Sequence, residues 1–159
     1  MTTLTPQQIA EGDKSEAQRT AEAVRAGMYA NDRAIQALGM AITEIAPGRA
    51  TVTMTVRPDM LNGFAIIHGG FVATLADTAF AYACNSCNEM TVASGFSVDL
   101  MAPAHEGDVL TAVAHEVQQA GRTGVYDVVV SKQGGQQIGV FRGRSYRMKG
   151  RQTVPGLTG

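Results

Sequence analysis

Asn62-Gly-Phe-Ala-Ile-Ile-His-Gly-Gly-Phe-Val-Ala-Thr-Leu-Ala-Asp77 is the stretch that decides the fold of this chain. Its Asn-Gly opening is turn chemistry. The glycine pair Gly69-Gly70 then leads into apolar residues at positions 72, 75, 76, 79, 80, 83 and 84. That spacing predicts a helix over about 69–88 with a long apolar face. Such a helix must be enclosed by the rest of the chain, and its alanines let other elements come close. One carboxylate, Asp77, interrupts the surface. Gly70 and Asp77 are seven residues apart, so at about 3.6 residues per turn they share a face.

Upstream, residues 5–38 have helix-forming composition, with Ile9, Val24, Met28, Ile35 and Leu38 spread over two short helices that stop at Gly39. A hairpin follows, with strands over 40–45 and 50–56 turning at Pro47-Gly48. In its second strand Val52, Met54 and Val56 alternate with Thr51, Thr53 and Thr55, the pattern of one buried and one wet face. Downstream, strand-like runs cover 92–100, 109–117, 124–131 and 138–148, separated by turn residues at 103–108 and 133–136. Two strands, one long buried helix and four more strands make an α+β fold, an antiparallel sheet wrapped around the helix. The expected organisation is an N-terminal helical segment (1–38), a main domain (39–150) and a flexible tail (151–159).

The helix start offers free backbone N–H groups and the positive end of the helix dipole, which suits a developing oxyanion. A carboxylate among Val72, Leu75, Ala76, Ala79 and Phe80 is costly to bury unless it has a task. Together they point to acyl chemistry. Gly69 or Gly70 would supply the N–H. Asp77, ionised above its ordinary pKa of about 3.9, would either deprotonate water or attack the acyl carbon itself.

The run Asn62…His68-Gly-Gly…Leu75-Ala-Asp77 resembles the signature of the hotdog-fold thioesterases of the PaaI type. The likeness continues through Asp77-Thr-Ala-Phe-Ala-Tyr-Ala-Cys-Asn-Ser86, Gly124-Val-Tyr-Asp127 and Phe141-Arg-Gly-Arg-Ser145. The resemblance implies a hotdog fold and hydrolysis of acyl-CoA thioesters, with aryl-acetyl groups such as phenylacetyl and hydroxyphenylacetyl as substrates in phenylacetate degradation. It implies Asp77 as base or nucleophile, Gly69 as the favoured oxyanion donor, and Asn62 as a residue that sets the acyl group and the attacking water. His68 would shape the turn or touch the thioester carbonyl, and Ser94 would orient water. It also implies two-fold dimers that pair into tetramers. Coenzyme A enters as part of the substrate, so no cofactor is expected.

Helix geometry leads to the same dimer. Gly70 and Asp77 lie roughly 10.5 Å apart along one helix, whereas a thioester carbon must sit about 3 Å from both donor and acid. An antiparallel partner helix would bring its own Asp77 opposite the first helix start, giving two equivalent sites per dimer.

Charge is unevenly spread. From Gly121 onward seven basic residues face one acid, Asp127, so a net charge of −1 for 159 residues leaves −7 on the first 120. The basic final hairpin suits phosphates, and Arg122, Thr123, Arg142 and Arg144, with Gly70 nearer the acyl group, are the candidates for holding coenzyme A. Phe64, Tyr82 and Met60 are candidates to wall an acyl pocket. The near-neutral total argues against nucleic-acid or membrane partners. No signal peptide and no apolar run of about 18 residues is visible, so a cytoplasmic location is expected. Cys84 and Cys87 sit near the end of the helix rather than at its start, and His68, His105 and His115 show no spacing that would complete a zinc site, so no metal is expected. Two rivals remain. A hotdog acyl-CoA hydratase or dehydratase would pair the acid with a catalytic histidine. A non-catalytic acyl-CoA sensor would need a DNA-binding module, for which residues 1–38 are short and not basic.

Overall fold

In the computed structural model, which describes residues 14–157, Ser15 opens the first helix by accepting a hydrogen bond from the backbone N–H of Gln18, the usual role of a short polar side chain there. This helix, α1 (Glu16–Asn31), buries Ala21 and Val24, and Asp32 both ends it and caps a short α2 (Arg33–Ala37). The part of the expected helical region at 5–13 lies outside the described residues. Gly39, at φ +66°, then turns the chain into the sheet.

Strands β1 (Ala41–Ala46) and β2 (Arg49–Thr55) form the expected hairpin. After the central helix α3 (Gly69–Asn85) come β3 (Glu89–Leu100), β4 (Val109–Ala120), β5 (Thr123–Lys132) and β6 (Gln137–Gln152). They form one antiparallel sheet in the order β1-β2-β4-β5-β6-β3, which leaves β1 and β3 as the edges.

The sheet curls around α3, so alternate residues on four strands point at the helix: Val52 and Met54, Leu110 and Ala112, Tyr126 and Val128, Gly139 and Phe141 are all buried. Phe80 on α3 reaches into this surface. Its ring lies edge-on to Tyr126 at 5.5 Å and 5.8 Å from Phe141, a favoured aromatic arrangement. Gly143 makes room for it, since a Cβ there would lie 2.9 Å from the Phe80 ring.

Three expectations need correction. The helix stops at Asn85, because the buried Asn85 side chain pairs with both the N–H and the C=O of Thr91 and Asn88 turns left-handed at φ +61°. The last strand runs on to Gln152. The tail expected to be flexible from residue 151 is tied down over 151–154. Thr153 Oγ1 donates to Asn85 Oδ1 at 2.7 Å, and Val154 exchanges hydrogen bonds with the side chain of Asn88. Val154 also packs against Gly27 of α1.

Candidate active site

The loop into α3 is shaped by its own backbone. Met60 is wholly buried and its carbonyl accepts from the His68 N–H, while Ile67 donates to Ala104 and pairs across the loop with Leu61. Between these fixed points the chain makes a tight turn around Asn62, whose Oδ1 accepts from the N–H groups of Phe64 (2.9 Å) and Ile66 (3.4 Å). Ala65 sits there at φ +57°, unusual for a residue with a side chain. The oxygen of Asn62 is therefore committed to the loop. Only its amide N–H groups remain to meet a ligand, so Asn62 can donate to a carbonyl or a water but cannot accept from one.

His68 occupies the helix N-cap without a side-chain hydrogen bond, and its ring is exposed. Neither Gly69 nor Gly70 has an acceptor for its backbone N–H among the described residues; the first N–H used is that of Phe71, which reaches back to the His68 carbonyl. Two unsatisfied donors at the positive end of a 17-residue helix are a ready anion site. The two glycines differ in surroundings. A Cβ on Gly69 would strike Leu100 Cδ1, whereas one on Gly70 would meet open space.

Apart from Gly69 and Phe71 in its first turn, the residues of α3 that the sheet leaves open are Gly70, Ala73, Thr74, Asp77 and Ala81. They recur at intervals of three and four and so form one stripe down the helix. Asp77 is its one titratable group. Burial alone pushes its pKa above the ordinary carboxylate value, and no ion pair or hydrogen bond holds it among the described residues. An unpaired, half-buried carboxylate is a stronger base or nucleophile than a solvated one, and its lone pairs are free.

Beside the helix, the edge of the sheet is also uncovered. Phe96 and Leu100 lie on the same face of β3, opposite helix-facing Gly143 and Gly139 of β6, yet they are 45% and 55% exposed. Phe96 stacks on Phe141 at 4.9 Å. The open stripe of α3 and this apolar margin of β3 adjoin where Leu100 meets Gly69.

The remaining candidates divide. Ser94 sits at a β-bulge in β3 and donates to the Arg144 carbonyl, so its hydroxyl is already in use. Arg142 is bound through two hydrogen bonds to Asp127, at 2.6 and 2.7 Å. A phosphate would have to displace that carboxylate. Arg144 is exposed beside Gly95 and has no acid partner among the described residues. Both arginines alternate with buried Phe141, Gly143 and Ser145, which puts them on the face of the sheet away from α3. Thr123 closes the β4–β5 turn by donating to the Ala120 carbonyl, and Arg122 beside it donates to the Tyr146 hydroxyl. Of the proposed pocket walls, Met60 and Tyr82 are core residues with no exposure, while Phe64, at the loop tip, is 85% exposed. Cys84 is buried with its thiol pushed up to about 12 by desolvation, and Cys87 is exposed. No group of three or more His, Cys, Asp or Glu placed to hold a metal occurs among the described residues. None of their helices is long and apolar enough to cross a membrane.

The family model "Thioesterase superfamily" matches residues 64–138, a span that holds the helix start, Asp77 and three of the strands around them, β3, β4 and β5. Acyl-coenzyme A thioesterase PaaI of Escherichia coli is 47% identical over 123 residues, 77% of this chain and 88% of that protein. The chain belongs to the PaaI-type hotdog thioesterases. The structure of the E. coli PaaI protein from the phenylacetic acid degradation operon superimposes with a TM-score of 0.84 at 43% identity, covering 86% of this chain and 99% of that one. A hypothetical thioesterase from Streptococcus pneumoniae, solved with coenzyme A, is more distant, with a TM-score of 0.67 and 26% identity over 70% of this chain and 90% of that one. The hotdog thioesterase fold explains why the carboxylate sits on a helix otherwise sheathed by sheet. The enclosing strands pack against α3 on most sides, and the stripe they leave open carries Asp77.

Proposed function

We propose that this thioesterase hydrolyses acyl-CoA thioesters to the free acid and coenzyme A, with aryl-acetyl groups, phenylacetyl and hydroxyphenylacetyl, as its substrates. One observation carries the reading: two unsatisfied helix-start N–H groups share an open helix face with an unpaired, half-buried carboxylate. The N–H groups would stabilise the oxyanion formed when the thioester carbonyl is attacked. Asp77 would supply the attack, by taking a proton from water or by adding directly to the carbonyl carbon. Coenzyme A leaves as its thiolate, a far better leaving group than an alkoxide, so no metal is required. Phe64, exposed at the loop tip, would lie against the aryl group.

The seven-residue separation of Gly70 and Asp77 keeps one subunit from completing the site alone. We assign the second half to a two-fold partner whose α3 runs antiparallel and whose β3 adjoins the exposed margin at Phe96 and Leu100. Such an isologous dimer holds two sites, and dimers would pair into tetramers. A substrate made and used in metabolism would suit a cytoplasmic enzyme.

A panel of acyl-CoAs assayed with a thiol-reactive dye tests this. Phenylacetyl-CoA and its hydroxylated forms should show higher kcat/KM than acetyl-CoA or palmitoyl-CoA. A peak at long-chain acyl groups would refute the aryl-acetyl assignment. Hydration of an enoyl-CoA in the absence of thiol release would replace hydrolysis by hydratase chemistry at His68 and Asp77.

A further inference from the structure

A second concave site lies away from the helix start. A groove of about 1210 Å³ opens between α1, the turn after α3, the β4–β5 turn and the end of β6. Five cations line it, Arg19, Arg122, Arg147, Lys149 and Arg151, against two carboxylates, Glu16 and Glu89. Glu89 is spent on Arg147 at 2.7 Å. Arg19, Arg122, Lys149 and Arg151 make no ion pair among the described residues and are exposed. Arg147 has a buried Nε–H with no acceptor. A chain of net charge −1 thus gathers an excess of three positive charges in one concave site. Concavity and like charge together concentrate anions, and guanidinium groups match phosphate oxygens.

The groove begins where α3 ends. Asn85 is eight residues beyond Asp77, about 12 Å along the helix axis, a span that an extended phosphopantetheine arm can bridge. Arg142 is already neutralised by Asp127, whereas four of the five groove cations, Arg19, Arg122, Lys149 and Arg151, have no acid partner among the described residues.

We propose that this groove binds the 3′-phosphate and diphosphate of the coenzyme A nucleotide, with Lys149 and Arg151 as its principal cations and Arg122 and Arg19 on its opposite wall. The assignment rests on the acyl-CoA thioesterase reading and moves the phosphate contacts away from Arg142 and Arg144. The groove then explains the basic run that ends β6 and the hydrogen bonds that tie residues 153 and 154 to Asn85 and Asn88. Those bonds hold the end of β6 against the turn after α3, and so fix both walls.

Cys87 lines the groove and is exposed, while Cys84, the other cysteine, is buried. Iodoacetamide labelling followed by peptide mass spectrometry therefore reads occupancy directly. Adenosine 3′,5′-bisphosphate should slow alkylation of Cys87 in the wild-type protein at low salt, inorganic phosphate should do so less, and Lys149→Gln/Arg151→Gln should abolish the protection. In the same variant KM for phenylacetyl-CoA should rise about fivefold or more relative to KM for phenylacetyl-pantetheine, the loss expected of two partly exposed charge contacts. Both side chains are exposed and make no ion pair among the described residues, so circular dichroism should show a folded variant. Absence of Cys87 protection would overturn the proposal. So would protection by the bisphosphate with an unchanged ratio of the two KM values, because the groove would then serve a phosphate from another source. Failure of the wild type to hydrolyse either thioester would instead overturn the thioesterase reading.

Discussion

The two ends of α3 follow opposite plans. At its start His68 offers no side-chain cap, Gly69 and Gly70 leave their N–H groups unsatisfied, and the following stripe is open down to Asp77. At its end almost every polar atom is paired. Asn85 binds Ala81 and both backbone groups of Thr91 and accepts from Thr153, and Ser86 Oγ donates to the Ala83 carbonyl while accepting from Gly48 N–H. Unsatisfied donors and an unpaired carboxylate cost stability. A buried hydrogen-bond cluster on the same rigid helix offsets that cost at the other end. An unsatisfied start and a hydrogen-bonded anchor are thus separated along one element.

Substitutions at the two ends should behave differently. Asp77→Asn should remove nearly all thioester hydrolysis, a loss of about 10²–10⁴-fold or more in rate, without loss of fold. Retention of more than a tenth of wild-type kcat would remove Asp77 from the chemistry. Asn85→Ala should do the reverse. It strands the Thr91 backbone groups and should lower stability by about 3 kcal/mol in urea titrations, while the folded fraction keeps its kcat. A normal midpoint would show that the anchor lies elsewhere.

Gly69→Ala tests the start of the helix from another side, since the added methyl meets Leu100. We expect a fall in kcat of about tenfold or more as the N–H is displaced, partly recovered by adding Leu100→Ala. Unfolding and refolding this variant together with Asp77→Asn should then revive activity. Half of randomly mixed dimers are heterodimers with one intact site in two, so about a quarter of all sites become competent. Mixed dimers confirmed by mass spectrometry but no more active than the separate variants would mean each subunit builds its own site.

The smallest effect is a pH dependence. Burial raises the folded-state pKa of Asp77 above its unfolded value. The folded protein therefore binds the proton more tightly, and stability is lost as pH rises through the window between the two pKa values. Asp77→Asn should consequently melt higher than wild type at neutral pH, and the gap should close below about pH 4, near the ordinary carboxylate pKa. Wild-type kcat/KM should fall on acidification at a pH above that same value. A gap that widens in acid would mean that an unseen partner stabilises the Asp77 anion.

Most of the architecture is legible because its signals are local. The alternation in β2, the apolar spacing of α3 and the turns at Pro47-Gly48 and Gly39 each specify an element without reference to the others. The motif likewise brings Asn62, His68, Gly69, Gly70 and Asp77 to one end and one face of α3. What the sequence hides depends on partners distant in the chain. That Asn85 ends the helix early is set by Thr91, and the fate of residues 153 and 154 by Asn85 and Asn88. The pairing of Arg142 with Asp127 arises only when β5 and β6 align in register. The excess of cations after Gly121 was visible, but Arg19, far upstream on α1, joins them only through folding.

The position of β3 sets a schedule for synthesis. It is the third strand made, yet its neighbour in the sheet is β6, the last. At about 5–20 residues per second on the ribosome, the interval between the end of β3 and the completion of β6 is roughly 3–10 s. Throughout that interval Val92, Phe96 and Leu100 belong to a strand with neither edge paired, next to a helix only partly wrapped. A nascent chain halted before residue 137 should therefore be a preferred client of chaperones, and the sixteen residues of β6 act as the clasp that ends this exposure.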